Sequence, residues 1–243
     1  MNSPRLKFLY KLLFPDNTLI EFPVVIDQYD CTVIHQDDLV PPDWAKLDYQ
    51  QCSNCPLEAI TTPFCPVAIN LIPVLRLCKS FPSYQNVKLE VITAERTISG
   101  DTTMQRALSS ILGLIMATSP CPHTEYFKPM ARFHLPLASE DETIYRAASM
   151  YFLAQYFRRK DGLDCKLDLD QLKNNYENLQ IINKALAKRL QVAVNNDSTV
   201  NAVVLLDLLS KAVTWSIEDD LEEIRYLFRS YSVNSTPITS DAS

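Results

Sequence analysis

Gln51-Cys52-Ser53-Asn54-Cys55-Pro56-Leu57, closed by Cys65-Pro66, divides the chain into two kinds of sequence. Before and just after it, apolar residues alternate or run in short β-branched stretches. Leu6–Phe14 and Thr18–Ile26 flank the turn signal Pro15-Asp16-Asn17, which predicts a β-hairpin. Cys31–His35 offers a third short strand, and Val87, Leu89 and Val91 alternate with Lys88 and Glu90 in a strand expected to pair with the hairpin. Pro56 and Pro63 keep the cysteine segment itself out of a regular helix or central strand.

After Asp101 the period becomes helical. Leu108, Ile111, Leu112, Ile115 and Met116 mark a buried helix ending at Pro120, and Thr102-x-x-Gln105 has the form of a capping box. Pro66–Lys79 predicts an earlier helix, bent at Pro73. Ser139-x-x-Glu142 opens a helix stopped by Gly162. Asp168 or Asp170 caps a long helix to about 194, Ser198 opens another to about 213, and Ser216-x-x-Asp219 opens a last one. The expected fold class is α+β: a small N-terminal antiparallel sheet, a cysteine-bearing loop, then about five helices. One unit covers 1–231, with sheet and loop in 1–100 and helices in 101–231. Residues 232–243 form a polar tail.

Composition narrows the function. Of 243 residues, 47% are hydrophobic and 21% charged, as in globular proteins. The net charge of −6 disfavours a nucleic-acid partner. Gly100, Gly113 and Gly162 are the only glycines, too few for a phosphate loop or a dinucleotide fingerprint. No uninterrupted apolar run approaches the roughly 20 residues of a membrane span, and Lys7 and Lys11 break the N-terminal apolar stretch that a leader would need. A cytoplasmic protein with no membrane partner is expected, its other partner being a protein or a second copy of itself. In that compartment thiols stay reduced, so closely spaced cysteines read as metal ligands or redox groups.

Cys52 and Cys55 can reach one ion from a single turn. Cys65 and Cys121 would complete four thiolates, with His123 as an alternative fourth ligand. That set suits tetrahedral zinc or, alternatively, a 4Fe–4S cluster. Cys55, Cys65 and Cys121 are each followed by proline, which stiffens the loop at a ligand. Two other readings compete: small buried hydrophobes, and a thioredoxin-like Cys-x-x-Cys, which Pro56 and the lack of a following helix disfavour. Cys31, Cys78 and Cys165 read as core or incidental. Arg132 and His134, alternating with apolar neighbours in an expected strand from Pro129 to Pro136, are the weaker candidates for an anion binder and an acid–base group. Arg146, Tyr151, Gln155 and Tyr156 could line a polar pocket. No nucleophile is identifiable beside them, so whether the chain is an enzyme is left open.

Taken together, Gln51-Cys52-x-x-Cys55-Pro56-Leu57, Cys65-Pro66-Val67-Ala68-Ile69-Asn70-Leu71, Cys121-Pro122-His123 and Ala131-Arg132-Phe133-His134-Leu135-Pro136 resemble an uncharacterised bacterial family, a domain of unknown function. Pro120 stands where that family often has glycine. The resemblance runs to Tyr231. It implies a bacterial source and a single structural unit, and carries no reaction with it.

Overall fold

A computed structural model describes residues 4–34, 40–77, 81–193 and 197–232. Strand β1 (Arg5–Leu13) and strand β2 (Leu19–Asp27) form the hairpin. Its turn places Asn17 at φ 66° and has the Thr18 N–H donating to Asp16 Oδ1 at 2.9 Å, a backbone conformation that asparagine tolerates. Helix α1 (Pro66–Leu77) runs through Pro73. Strand β3 (Asn86–Ile92) pairs with β1, and β4 (Thr97–Thr103) with β3, giving the antiparallel order β2-β1-β3-β4. Helices α2 (Met104–Ala117), α3 (Lys128–Arg132), α4 (Glu140–Lys160), α5 (Asp170–Ala193), α6 (Ser198–Glu218), α7 (Glu222–Arg225) and α8 (Arg229–Ser232) follow. The architecture is α+β.

The alternation in β1 and β3 puts Phe8, Tyr10, Leu12, Val87, Leu89 and Val91 on one buried face. These residues share a core with Leu108, Ile111, Leu112 and Ile115 of α2, Ile182, Leu186 and Leu190 of α5, and Ala202 and Val203 of α6. Helix α2 is thus the central element, packed against both the sheet and α6.

The structure corrects several local expectations. Cys31–His35 is not a strand over its described residues, 31–34; it makes one isolated bridge, Ile26 with Val33. Thr102 belongs to β4, and no side chain caps α2. The Met104 and Gln105 N–H groups instead donate to Gln85 O (2.8 Å) and Ser83 O (3.0 Å). Ser216 lies inside α6, buried, so it opens no helix. His35, Cys78, the predicted ends of the first and long helices, and the tail from 233 lie outside the described residues.

The Ser139 box is complete. Ser139 Oγ accepts the Glu142 N–H at 3.2 Å, and Glu142 Oε2 accepts the Ser139 N–H at 2.7 Å. Gly162, at φ 73°, ends the helix region as expected. Ser139→Ala is expected to lower stability by about 1 kcal/mol, the usual value of a lost cap, read as a shift in urea midpoint.

Helix α6 is long and apolar enough to cross a membrane by length and composition alone, with a mean hydropathy of 1.4 over its most apolar window. Asp207 and Lys211 interrupt its apolar run. They pair with each other at 2.7 Å, and the helix packs against α2, α4 and α5.

Candidate functional site

The cysteine loop is built as a closed ring. Gln51 Nε2 donates to Leu57 O at 3.0 Å, and the Cys55 N–H donates to Cys52 O at 3.1 Å. Cys65 then sits at the start of α1: its N–H donates to Ala45 O (2.8 Å), and its carbonyl accepts from Ile69 (3.0 Å). Pro66, at the first helical position, needs no donor there. Cys121 lies just past α2. Thr118 and Ser119 close that helix by donating to Leu114 O (2.9 Å) and Met116 O (2.8 Å). The N–H groups of Thr124 and Glu125 both turn back to Cys121 O.

Two latches bring these segments together. His123 Nε2–H donates to Asn54 O at 2.7 Å, joining the Cys121 turn to the Cys52–Cys55 turn. Asn54 Nδ2 reaches Asn178 Oδ1 on α5 at 2.8 Å. Beneath the loop, Arg189 of α5, only 2% exposed, donates from Nη1 to Trp44 O and Lys46 O and from Nη2 to Leu47 O. Its guanidinium lies 5.8 Å from the Tyr49 ring centroid.

The latches bring the Cys121 turn against the Cys52–Cys55 turn. Burial pushes the Cys52 thiol up to about 12, and the next largest causes are the charges of Cys65, Cys55 and Cys121, with Arg189 opposing them. Burial likewise raises Cys121, against backbone N–H groups of His123 and Thr124 that favour its thiolate, and Cys65 adds to the rise. Cys52, Cys65 and Cys121 also pack on one apolar core. The four candidate ligands are therefore electrostatic neighbours. They do not form a closed coordination sphere: among the described residues no group of three or more His, Cys, Asp or Glu side chains is arranged to hold a metal ion. His123 uses Nε2 for the loop, which makes it a latch. Cys31, Cys52, Cys55, Cys65, Cys121 and Cys165 are all free thiols, and Cys31 and Cys165 are not among the causes acting on Cys52 or Cys121.

The expected strand at Pro129–Pro136 is corrected. Lys128–Arg132 is helix α3, after which the His134 N–H turns back to Ala131 O at 3.1 Å. The alternation misled because Pro129 starts a short helix as readily as it flanks a strand. Arg132 lies over the Phe133 ring, 5.2 Å from its centroid, while His134 turns inward. His134 Nε2 stands 2.6 Å from Tyr10 Oη and 3.2 Å from Ser110 Oγ, with Phe8 edge-on at 5.9 Å. The residue as a whole keeps some exposure, yet its ring is enclosed, and desolvation with the Arg146 charge pulls its pKa down to about 3. A histidine so poised is neutral, a poor proton acceptor at neutral pH. Both Arg132 and His134 border a cavity of about 260 Å³ where β1 begins and β3 ends. His134 also borders a larger one of about 510 Å³, together with Ser110, Arg146, Tyr176 and Asn183.

Of the helix residues expected to line a polar pocket, Arg146 does so. Tyr151 is buried in the core shared by α4, α5 and α6, Gln155 accepts the Lys166 N–H at 3.0 Å, and Tyr156 is exposed. Ser110, Asn183 and Arg189 were not singled out by sequence. Each is one polar residue on a helix, a signal that does not separate a site from an internal hydrogen bond.

Residues 8–229 match the family described as Domain of unknown function (DUF6901). The chain belongs to that family. No curated protein and no solved structure matches it. The DUF6901 match spans sheet, cysteine loop and helices.

Proposed function

We propose that this DUF6901 chain is a cytoplasmic binding protein in which Cys52, Cys55, Cys65 and Cys121 hold one metal ion, zinc in the first instance, as a structural clamp. The observation that carries the reading is the 2.7 Å hydrogen bond from His123 Nε2 to Asn54 O, which ties the Cys121 turn to the Cys52–Cys55 turn. Four ionised thiols repel one another unless a cation lies among them. Zinc supplies that charge and displaces the thiol protons. The backbone N–H groups aimed at Cys121 suit a metal thiolate, and the cysteine loop needs only local closure because His123 and Arg189 already hold it. The same sulfurs would suit a 4Fe–4S cluster. A thiol-based enzyme fits less well, since burial raises Cys52 and Cys121 rather than activating them.

Elemental analysis of protein purified without added ions tests this. About one equivalent of zinc is expected, released by Cys52→Ser or Cys121→Ser. Iron with inorganic sulfide and visible colour would assign the cluster instead. Less than about half an equivalent of either metal, for a site that should bind tightly, overturns the proposal.

A further inference from the structure

Strand β1 is paired with β2 along its whole length, but β3 meets it only from Leu9 to Leu13. Along an antiparallel strand, successive residues turn their N–H and C=O groups to opposite edges. The Gln28 N–H donates to Pro4 O (3.0 Å) and the Phe14 N–H to Thr18 O (2.9 Å), which fixes the even-numbered residues of β1 on the β2 side. Arg5 and Lys7 therefore turn both backbone groups to the β3 side. There β3 has ended: past Ile92 the chain turns into β4, with the Thr93 N–H donating to Arg96 O at 2.9 Å. The N–H and C=O groups of Arg5 and Lys7 make no hydrogen bond among the described residues.

The cavity of about 260 Å³ lies along this open edge. Arg5, Leu6, Lys7 and Phe8, four consecutive residues, all border it. Side chains alternate between the faces of a strand, so a cavity that meets all four lies against the edge rather than on one face. Its charge is one-sided. Arg5, Lys7, Arg96 and Arg132 border it against a single carboxylate, Glu95, and none of the four cations forms an ion pair among the described residues. His134 is neutral there and adds no charge. The chain as a whole carries −6, so this positive excess is local. Arg5, Lys7 and Arg96 are exposed, while Arg132 is half-buried over the Phe133 ring.

We propose that an acidic, extended peptide segment of a partner protein docks here as a short added strand. Its backbone pairs with the N–H and C=O groups of Arg5 and Lys7. These residues stand two apart, about 7 Å along the strand, the repeat at which an extended peptide offers its own groups to one edge. Its carboxylates meet the arginine and lysine side chains, whose charge-assisted bonds favour them over amides. Only two residues of β1 are open, so the segment is short and charge supplies most of the selectivity. A second copy of this chain fits less well, because two-fold pairing of this edge with itself sets Arg5 and Lys7 against their own counterparts. The site is independent of the cysteine centre.

Titration of the full chain with a blocked pentapeptide of alternating glutamate and valine, read by calorimetry and by amide hydrogen exchange, tests this. Saturable binding is expected below about 1 mM, the weak end of specific association, and exchange of the Arg5 and Lys7 amides should slow by about tenfold. A copy with glutamine for glutamate should bind about tenfold weaker, and so should a copy N-methylated at every amide, each having lost one class of hydrogen bond. The double variant Lys7→Glu, Arg96→Glu should lose the preference for glutamate over glutamine. The wild-type comparisons decide the matter even if that variant fails to fold. Absence of saturable binding, equal affinity for the glutamine or the methylated copy, or binding of inorganic phosphate as tight as the peptide overturns the proposal. A dimer that slows the same two amides while the peptide stays unbound gives the edge to a second copy and overturns it as well.

Discussion

Acidification is expected to destabilise the protein steeply between about pH 6.5 and pH 3, with His134 responsible for roughly 4 kcal/mol of the loss. The ring is held neutral in the fold by desolvation and by the Arg146 cation. Once unfolded, it regains its ordinary pKa of 6.5. Below that value the unfolded chain takes up a proton that the native state refuses, so unfolding gains about 1.4 kcal/mol for each pH unit of descent. The stabilisation is whole above pH 6.5 and is lost as pH falls towards the native value near 3. Urea unfolding of wild type and His134→Gln across this range measures it. Glutamine stays neutral in both states, so the variant should show a much flatter profile, with the gap between the two proteins narrowing as pH falls. Parallel profiles would mean that His134 protonates in place, and that its contacts with Tyr10 and Ser110 survive the charge.

Arg189→Met should cost about 3 kcal/mol, because it removes the donors to buried carbonyls while keeping most of the apolar stem. Arg189 faces backbone carbonyls of residues 44, 46 and 47 and no carboxylate among the described residues. Its loss therefore strands acceptors rather than a counter-ion. The damage should be local as well as global. Limited proteolysis should cut first between residues 43 and 65, since that segment loses its anchor to α5. A change under about 1 kcal/mol, with the loop still resistant, would show that water replaces the guanidinium without loss.

How much of this was visible in the sequence depended on how local each signal is. The hairpin was legible because its turn residues and alternation lie within one short stretch. The Ser139 box was legible because both partners are three residues apart. Strand β4 was not, because Thr97–Thr103 contains Gly100 and Asp101 and has no apolar alternation; only pairing with β3 makes it a strand. Ser216-x-x-Asp219 has the form of a cap but sits where α6 is already helical, and packing overrode the local motif. The cysteines were legible as a set because thiols with following prolines are conspicuous. That Cys121 approaches Cys52 depends on where α2 ends, and α2 could be placed from its apolar spacing. The Arg146–Asn183 cavity could not be anticipated as a whole. Its polar groups come from four helices, and no spacing along the chain marks their convergence.

Strand β1 is central in the sheet, yet one of its neighbours lies far along the chain: Leu13 pairs with Lys88, while Leu13 also pairs with Leu19. The hairpin can therefore assemble within microseconds by itself, whereas the third strand must first close a long loop that includes the cysteine segment and α1. During that wait the inner edge of β1 has unpaired backbone groups beside exposed Phe8, Tyr10 and Leu12, a template for pairing with other chains. Refolding at high protein concentration should aggregate through this edge, and anything that shortens the intervening loop should speed productive closure.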